Sequence, residues 1–193
     1  MEIFARTLKP EEKSRGDVLL LHGASFTSKN WEDIQTLQYI GAMGYTPVAV
    51  DLPGYGNSWT GSSMENTSDF LEELITTINF TAPVVISPSM SGQFSLPYLF
   101  DDPKTANKRS HGFVPVAPVG IEQYAKKFKE TQIPAALVYG ENDKSFRQSV
   151  EKTLSTLPNS RLFMLEGARH PAYLDRPDDW HKILYVFLKA VFN

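Results

Sequence analysis

Ala82-Pro83-Val84-Val85-Ile86-Ser87-Pro88-Ser89-Met90-Ser91-Gly92 is the stretch on which the reading of this chain turns. Its first half is a short apolar run, as expected of a strand covered on both faces. The run stops at Ser89, which has a small residue two positions away on either side, Ser87 and Ser91, with Gly92 adding further room. A nucleophile on a tight strand-to-helix turn needs this small-x-Ser-x-small frame, because the backbone there passes too close to its neighbours for larger side chains. A cluster of Ser, Pro and Gly after a strand also spells an ordinary loop. The choice between elbow and loop falls to the rest of the chain.

Comparable apolar runs recur at Val18–Leu21, Thr46–Val50, Gly112–Val116, Ala135–Tyr139 and Arg161–Leu165, each followed by a turn-rich cluster. Between them lie stretches with helical spacing: Trp31–Met43, Met64–Asn79, Gln93–Leu99, Phe146–Leu157 and Pro177–Phe192. In the last, Trp180, Ile183, Leu184, Phe187, Leu188 and Val191 form one apolar stripe at helix period, the mark of a core-facing helix. Strand–helix alternation along 193 residues predicts a single α/β domain over 1–193, with a mostly parallel central sheet and helices on both faces. Residues 117–134 hold only a short charged helical piece, Glu122–Glu130, too little for a lid domain, so any pocket is expected to be shallow or open.

Functional groups of an open parallel sheet gather beyond the carboxyl ends of its strands, and four such ends carry polar residues. Leu21 is followed by His22-Gly23-Ala24, a loop whose N–H groups could face a developing oxyanion, with Ala24 and Met90 as the donors. His22 reads better as a structural histidine of that loop than as a base. Asp51-Leu52-Pro53-Gly54-Tyr55-Gly56-Asn57-Ser58 is explained by turn chemistry, and it lacks the Gly-Lys-Ser/Thr of a phosphate cradle. The strand ending at Tyr139 leads to Glu141 and Asp143, and the next leads to His170. A serine becomes a nucleophile when an imidazole takes its proton, and that imidazole needs a carboxylate to orient it. Ser89, Asp143 and His170 supply these roles in that chain order, with Glu141 as the rival acid. His111 and His181 lie off the strand ends and read as surface residues.

The bulk properties narrow the field. A net charge of −3 with 21% charged residues offers no basic surplus for nucleic acid. No cysteine is present, which removes disulfides, thiolate metal sites and a thiol nucleophile. No pair of histidines has metal-ligand spacing with a carboxylate, so neither a metal nor a required cofactor is expected. The N-terminus lacks the apolar core of a signal peptide, and no run is long enough to span a bilayer. A soluble cytoplasmic protein is expected.

Ser87-Pro88-Ser89-Met90-Ser91-Gly92, together with His22-Gly23, Asp51 to Ser58, Gly112-Phe113-Val114-Pro115-Val116-Ala117-Pro118 and His170-Pro171-Ala172-Tyr173-Leu174-Asp175, resembles the α/β-hydrolase domain-containing protein 14 branch of the α/β-hydrolase superfamily. The resemblance runs from Val18 to Trp180. It implies the α/β-hydrolase fold, a Ser89–Asp143–His170 triad, and a small cytosolic or nuclear serine hydrolase acting on short acyl esters. It also implies removal of acyl groups from lysine, with coenzyme A as acyl acceptor, and a protein partner is compatible with it. Three departures stand out. Arg169 replaces a small residue before the histidine, setting a cation beside an imidazole that must become positive, which lowers its pKa unless the cation faces solvent or is paired. Lys144-Ser145 follow the acid where the branch has Asp-Pro. The N-terminus is short, so the first edge strand is expected to be missing.

The expected function is therefore cleavage of small acyl esters, thioesters or amides through an acyl-enzyme on Ser89. The alternative is a non-catalytic module that keeps the fold as a protein-interaction surface. A lyase or cofactor-free haloperoxidase would use the same three side chains.

Overall fold

Six of the seven strands in the sheet coincide with the apolar runs above. The computed structural model describes residues 2–10, 13–58 and 67–192. Its strands are β1 (Ala5–Thr7), β2 (Asp17–Leu20), β3 (Thr46–Val50), β4 (Val84–Pro88), β5 (Gly112–Val116), β6 (Ala135–Gly140) and β7 (Ser160–Leu165). They form one sheet ordered β1-β3-β2-β4-β5-β6-β7, parallel throughout except for the β1–β3 pair. Successive side chains on the central strands go to opposite faces. Leu19, Val85 and Phe113 enter one apolar cluster, while Val18, Leu20, Val84, Ile86 and Val114 enter the other. Both faces are dry, which is why these strands read as unbroken apolar runs.

The helices are α1 (Lys29–Asp33), α2 (Thr36–Ala42), α3 (Thr67–Thr77), α4 (Gly92–Phe100), α5 (Ala106–Arg109), α6 (Lys144–Lys152), α7 (Ala172–Asp175) and α8 (Pro177–Phe192). Phe70, Leu71, Phe94, Leu99 and Val150 bring α3, α4 and α6 onto the first face, and Trp31, Ile40, Trp180 and Leu184 bring α1, α2 and α8 onto the second. The stripe expected on the last helix is buried there.

Four expectations need correction. The helix expected over Trp31–Met43 is two helices, broken at Gln35, which sits at φ 61°. In one continuous helix Leu37 would point roughly 240° round the axis from Trp31; the break lets both face the sheet, and both are buried. The stretch Phe146–Leu157 begins earlier as α6 and ends in a 3₁₀ turn at Leu154–Thr156. Glu122–Glu130 is not a helix but lies within two 3₁₀ turns, Ile121–Tyr124 and Lys127–Glu130, pinned by buried Ile121 and Phe128. An edge strand does form near the N-terminus: β1 pairs antiparallel with β3, Ala5 opposite Val50. With three residues and only its middle one half-buried, it leaves no periodic signal. Residues 64–66 of the expected helix Met64–Asn79 lie outside the described residues.

The junction of β4 with α4 is tightly packed. A Cβ on Gly92 would stand 2.5 Å from the Val119 carbonyl oxygen and 3.0 Å from Pro118 Cβ. Backbone cannot yield as a flexible side chain can. Gly92→Ala should lower stability by about 1–3 kcal/mol, the usual cost of overpacking. Gly41→Ala, inside α2 with Leu8 Cβ no nearer than 3.6 Å, should instead be neutral or stabilising by up to about 1 kcal/mol. Urea denaturation of the two variants checks the pair.

Candidate active site

Ser89 follows directly on β4 and opens a 3₁₀ turn, Ser89–Ser91, that runs into α4. Its φ is 49°, a left-handed value that costs a non-glycine residue about 1–3 kcal/mol and is held only where surroundings over-determine it. The surroundings here are specific. The Val119 N–H donates to the Ser89 carbonyl at 3.0 Å. Beneath the turn, three buried hydroxyls form a directed chain: Ser91 Oγ donates to the Pro88 carbonyl at 2.8 Å, so Ser87 must donate to Ser91 across 3.0 Å and Ser95 to Ser87 across 2.6 Å. Each hydroxyl has one proton, so the order of donation follows from the last bond in the chain. In the sequence only size marks Ser87 and Ser91, and nothing marks Ser95, which reaches the chain from α4.

Asp143 lies three residues beyond β6 and His170 five beyond β7, and these strands pair in register with Gly140 opposite Leu165. The two loops are therefore neighbours. His170 Nδ1 is 2.5 Å from Asp143 Oδ2, and His170 Nε2 is 2.8 Å from Ser89 Oγ. Because a carboxylate only accepts, Nδ1 carries the proton and Nε2 is left to accept from the serine hydroxyl. The Asp143 carboxyl is buried and the imidazole partly open to solvent. The Phe146 ring lies 5.0 Å from the imidazole. Lys144 and Ser145 after the acid form the first turn of α6, and the Ser145 hydroxyl donates to Asp143 Oδ1 at 3.4 Å.

Glu141, the rival acid, serves the neighbouring loop instead: its carboxylate accepts from the Gly167 N–H at 2.8 Å. Asn142 adds its own N–H to the Ala168 carbonyl at 2.8 Å and its side-chain amide to the Gly167 carbonyl at 3.0 Å. Arg169 does not face the imidazole as an unpaired cation. Its Nε and Nη2 donate to Asp175 at 3.0 and 2.7 Å, and its backbone N–H donates to the same carboxylate at 2.8 Å. Those side-chain bonds hold the Asp175 carboxyl below the usual carboxylate range.

His22 is fully buried and bonded through both nitrogens. Nε2 accepts from the Leu52 N–H at 2.9 Å, so Nδ1 donates to the Gly23 carbonyl, also at 2.9 Å. Burial pushes its pKa down, outweighing the Gly23 carbonyl and the Asp51 charge. It ties the loop after β2 to the loop after β3 and does not reach Ser89 by hydrogen bond. Asp51 is likewise buried: it accepts from the Ser28 N–H at 2.7 Å and the Asn57 N–H at 2.9 Å. Burial would raise its carboxyl, yet the bonds from Asn57 and Ser28 prevail and hold it low. A Cβ on Gly56 would overlap that carboxylate, which explains the glycine. Of the two off-strand histidines, His111 is exposed, but His181 is not a plain surface residue. It stacks on Tyr39 with centroids 4.6 Å apart and bonds Thr36 Oγ1 at 3.1 Å.

A cleft of about 90 Å³ opens beside the serine, bounded by Gly23, Ala24, Phe26, Pro88, Ser89, Val116, His170 and Tyr173 among others. Ala24 thus faces the same space as Ser89, and residue 23 is close enough that a Cβ there would lie 3.5 Å from Ser89 Cβ. Met90 is half-buried, and its N–H belongs to the peptide whose carbonyl Val119 holds. None of the described residues from 117–134 lines the cleft, since Ile121, Phe128 and Ile133 turn into the core. Phe26 stands in no motif, and Tyr173 stands in the His170-Pro171-Ala172-Tyr173 stretch with nothing there to mark it as a wall; packing on Trp31, 4.4 Å between centroids, helps bring that ring to the cleft. Among the described residues no three His, Cys, Asp or Glu side chains are grouped to hold a metal ion. No helix among them is long and apolar enough to cross a membrane.

This arrangement defines an α/β hydrolase, and the comparisons agree: an alpha/beta hydrolase family profile matches residues 18–125, and the chain belongs to that family. A human relative named "Putative protein-lysine deacylase ABHD14B" is 38% identical over 194 residues, covering 97% of this chain and 90% of the relative. Protein ABHD14A of Danio rerio is 40% identical over 181 residues, 92% of this chain; the chain spans 66% of that protein's length. Among solved structures, a CIB-like hydrolase from Thermoplasma acidophilum superposes with a TM-score of 0.87 at 25% identity, covering 97% of this chain and 92% of the other.

With both nitrogens of His22 committed, its imidazole should stay neutral as the Nδ1–H tautomer well below the ordinary histidine pKa of about 6.5. Imidazole ¹⁵N shifts recorded from pH 7.5 to 5 check this; a His22 midpoint at or above that ordinary value would contradict the structural role.

Proposed function

We propose that the protein is a serine hydrolase that removes short acyl groups from esters, thioesters or amides, acylated lysine among them, through an acyl-enzyme on Ser89. The observation that carries this reading is the unbroken run of hydrogen bonds from Ser89 Oγ through His170 to Asp143, ending on a serine at φ 49°. A solvated loop serine has no need of either feature.

In this mechanism Ser89 Oγ bonds to the acyl carbon as its proton passes to His170 Nε2. The carbonyl oxygen becomes an oxyanion held by the N–H groups of Ala24 and Met90, each worth about 3–4 kcal/mol in such sites. Asp143 keeps the imidazole oriented and stabilises the cation. Collapse of the oxyanion breaks the bond to the leaving amine, alcohol or thiol, which takes the proton from Nε2. Water then repeats the sequence on the acyl-enzyme. A thiol acceptor, coenzyme A in the reading drawn from the family, would enter by the same proton transfers. The name of the human relative supports an acylated lysine as donor.

The cleft argues for short chains. About 90 Å³ is less than the ~150 Å³ that admits benzene in an apolar cavity. p-Nitrophenyl acetate or propionate should therefore exceed the octanoate ester in kcat/KM by about tenfold or more. Ser89→Ala should lower acetate turnover by roughly 10⁴-fold or more while the fold persists. Intact mass after a fluorophosphonate probe should place one adduct on Ser89. Equal turnover by wild type and Ser89→Ala, with no adduct, would leave the chain as a non-catalytic interaction module.

A further inference from the structure

The loop that carries His170 is held at both ends by carboxylates other than Asp143. Glu141 receives the Gly167 N–H at the start of the loop. Asp175, at the end of α7, receives the backbone N–H and two guanidinium donors of Arg169, the residue before the histidine. Between these points Ala168 is buried, its carbonyl taken by the Asn142 N–H, and the His170 carbonyl accepts from the Ala172 N–H at 2.9 Å. The loop is thus tied to the acid loop on one side and to α7 on the other.

The Arg169 guanidinium belongs to the residue before His170, and its side chain is exposed apart from its pairing with Asp175. The remaining charges at this corner are accounted for. Asp143 faces Nδ1 of His170. On α6, Lys144 is exposed and Arg147 pairs with Glu151 at 2.9 Å. On α8, Asp179 pairs with Arg176 at 2.8 Å and with Lys182 at 2.9 Å, while Asp178 and the β7-end residue Glu166 are exposed.

We infer that Asp175 is a positioning residue for His170: by seizing both the backbone and the guanidinium of Arg169 it sets the register of the histidine loop and diverts the adjacent cation from the imidazole. This rests on the serine-hydrolase reading for its consequence in turnover, but not for its effect on the imidazole. Removing Asp175 takes away the acceptor of both the Arg169 backbone N–H and its guanidinium, the two anchors of the residue next to His170.

The test uses the whole chain and two readouts. By NMR, the His170 Nδ1 proton held against Asp143 should give a downfield resonance in the wild type that is broadened or lost in Asp175→Ala. Arg169→Ala, which removes the guanidinium but leaves the backbone N–H on Asp175, should keep that resonance. In turnover of p-nitrophenyl acetate, Asp175→Ala should lose roughly 10- to 100-fold in kcat with KM little changed, the cost of a misplaced catalytic group. Asp175→Asn, which keeps an acceptor for the Arg169 N–H, should recover much of that loss. Circular dichroism confirms that each variant is folded. A His170 Nδ1 resonance unchanged in Asp175→Ala overturns the inference whether or not the wild type hydrolyses esters. Absence of turnover by the wild type, with that resonance lost in Asp175→Ala, would instead refute the hydrolase reading and leave the positioning role standing.

Discussion

A serine held in a left-handed conformation between a buried strand and a helix is the constraint from which the rest of the site follows. Its φ of 49° is unfavourable on its own, so the surroundings must supply the compensation, and they do so with short-range polar contacts rather than with bulk. The Ser95–Ser87–Ser91 hydroxyl chain ends on the carbonyl just before Ser89, and the Val119 N–H ends on the carbonyl of Ser89 itself. Gly92 admits the loop after β5 to within contact of the turn. Where a glycine would leave the turn loosely determined, serine supplies the same small size with a hydrogen-bonding group.

The parallel sheet does the remaining placement. Because β6 and β7 are paired in register to Gly140 and Leu165, the segments leaving them emerge side by side at one edge. Their contact is then specified by polar groups one residue at a time: Glu141 to Gly167, Asn142 to Gly167 and Ala168, Asp143 to His170. Three consecutive residues of the acid loop each have a partner in the histidine loop. An imidazole suspended between two loops could otherwise drift by more than a proton transfer tolerates. Two further buried polar residues, His22 and Asp51, do the corresponding work for the loops after β2 and β3.

The cleft is small for a different reason. The connection from β5 to β6 spends its apolar residues on the core face of the sheet, so it builds no roof. Among the described residues, Phe26, Val116 and Tyr173 are large apolar parts of its wall, and the aromatic stack of Trp31 on Tyr173 and Trp180 supports the last of these.

Much of this was legible in the sequence, for physical reasons that differ by element. Strands buried on both faces must be apolar throughout, so β2 to β6 could be read within a residue or two; β7, at the sheet edge with Leu162 and Met164 exposed, was legible from residue type alone, whereas β1, with one half-buried residue, was not. The order Ser89, Asp143, His170 was visible because turn-rich clusters mark strand ends and few side chains can serve each role. Other features depend on which groups meet. The break at Gln35, the choice of Asp143 over Glu141 beside the imidazole, the hydroxyl chain through Ser95 and the capture of Arg169 by Asp175 all involve partners whose identity is written nowhere near them in the chain. Periodicity and residue chemistry are local properties, and by themselves they determined the layers of the fold and the chemical types at the site. Hydrogen bonds between loops require distances that only the packed sheet sets, and so the tertiary structure alone decided which acid meets the histidine and where the neighbouring cation goes.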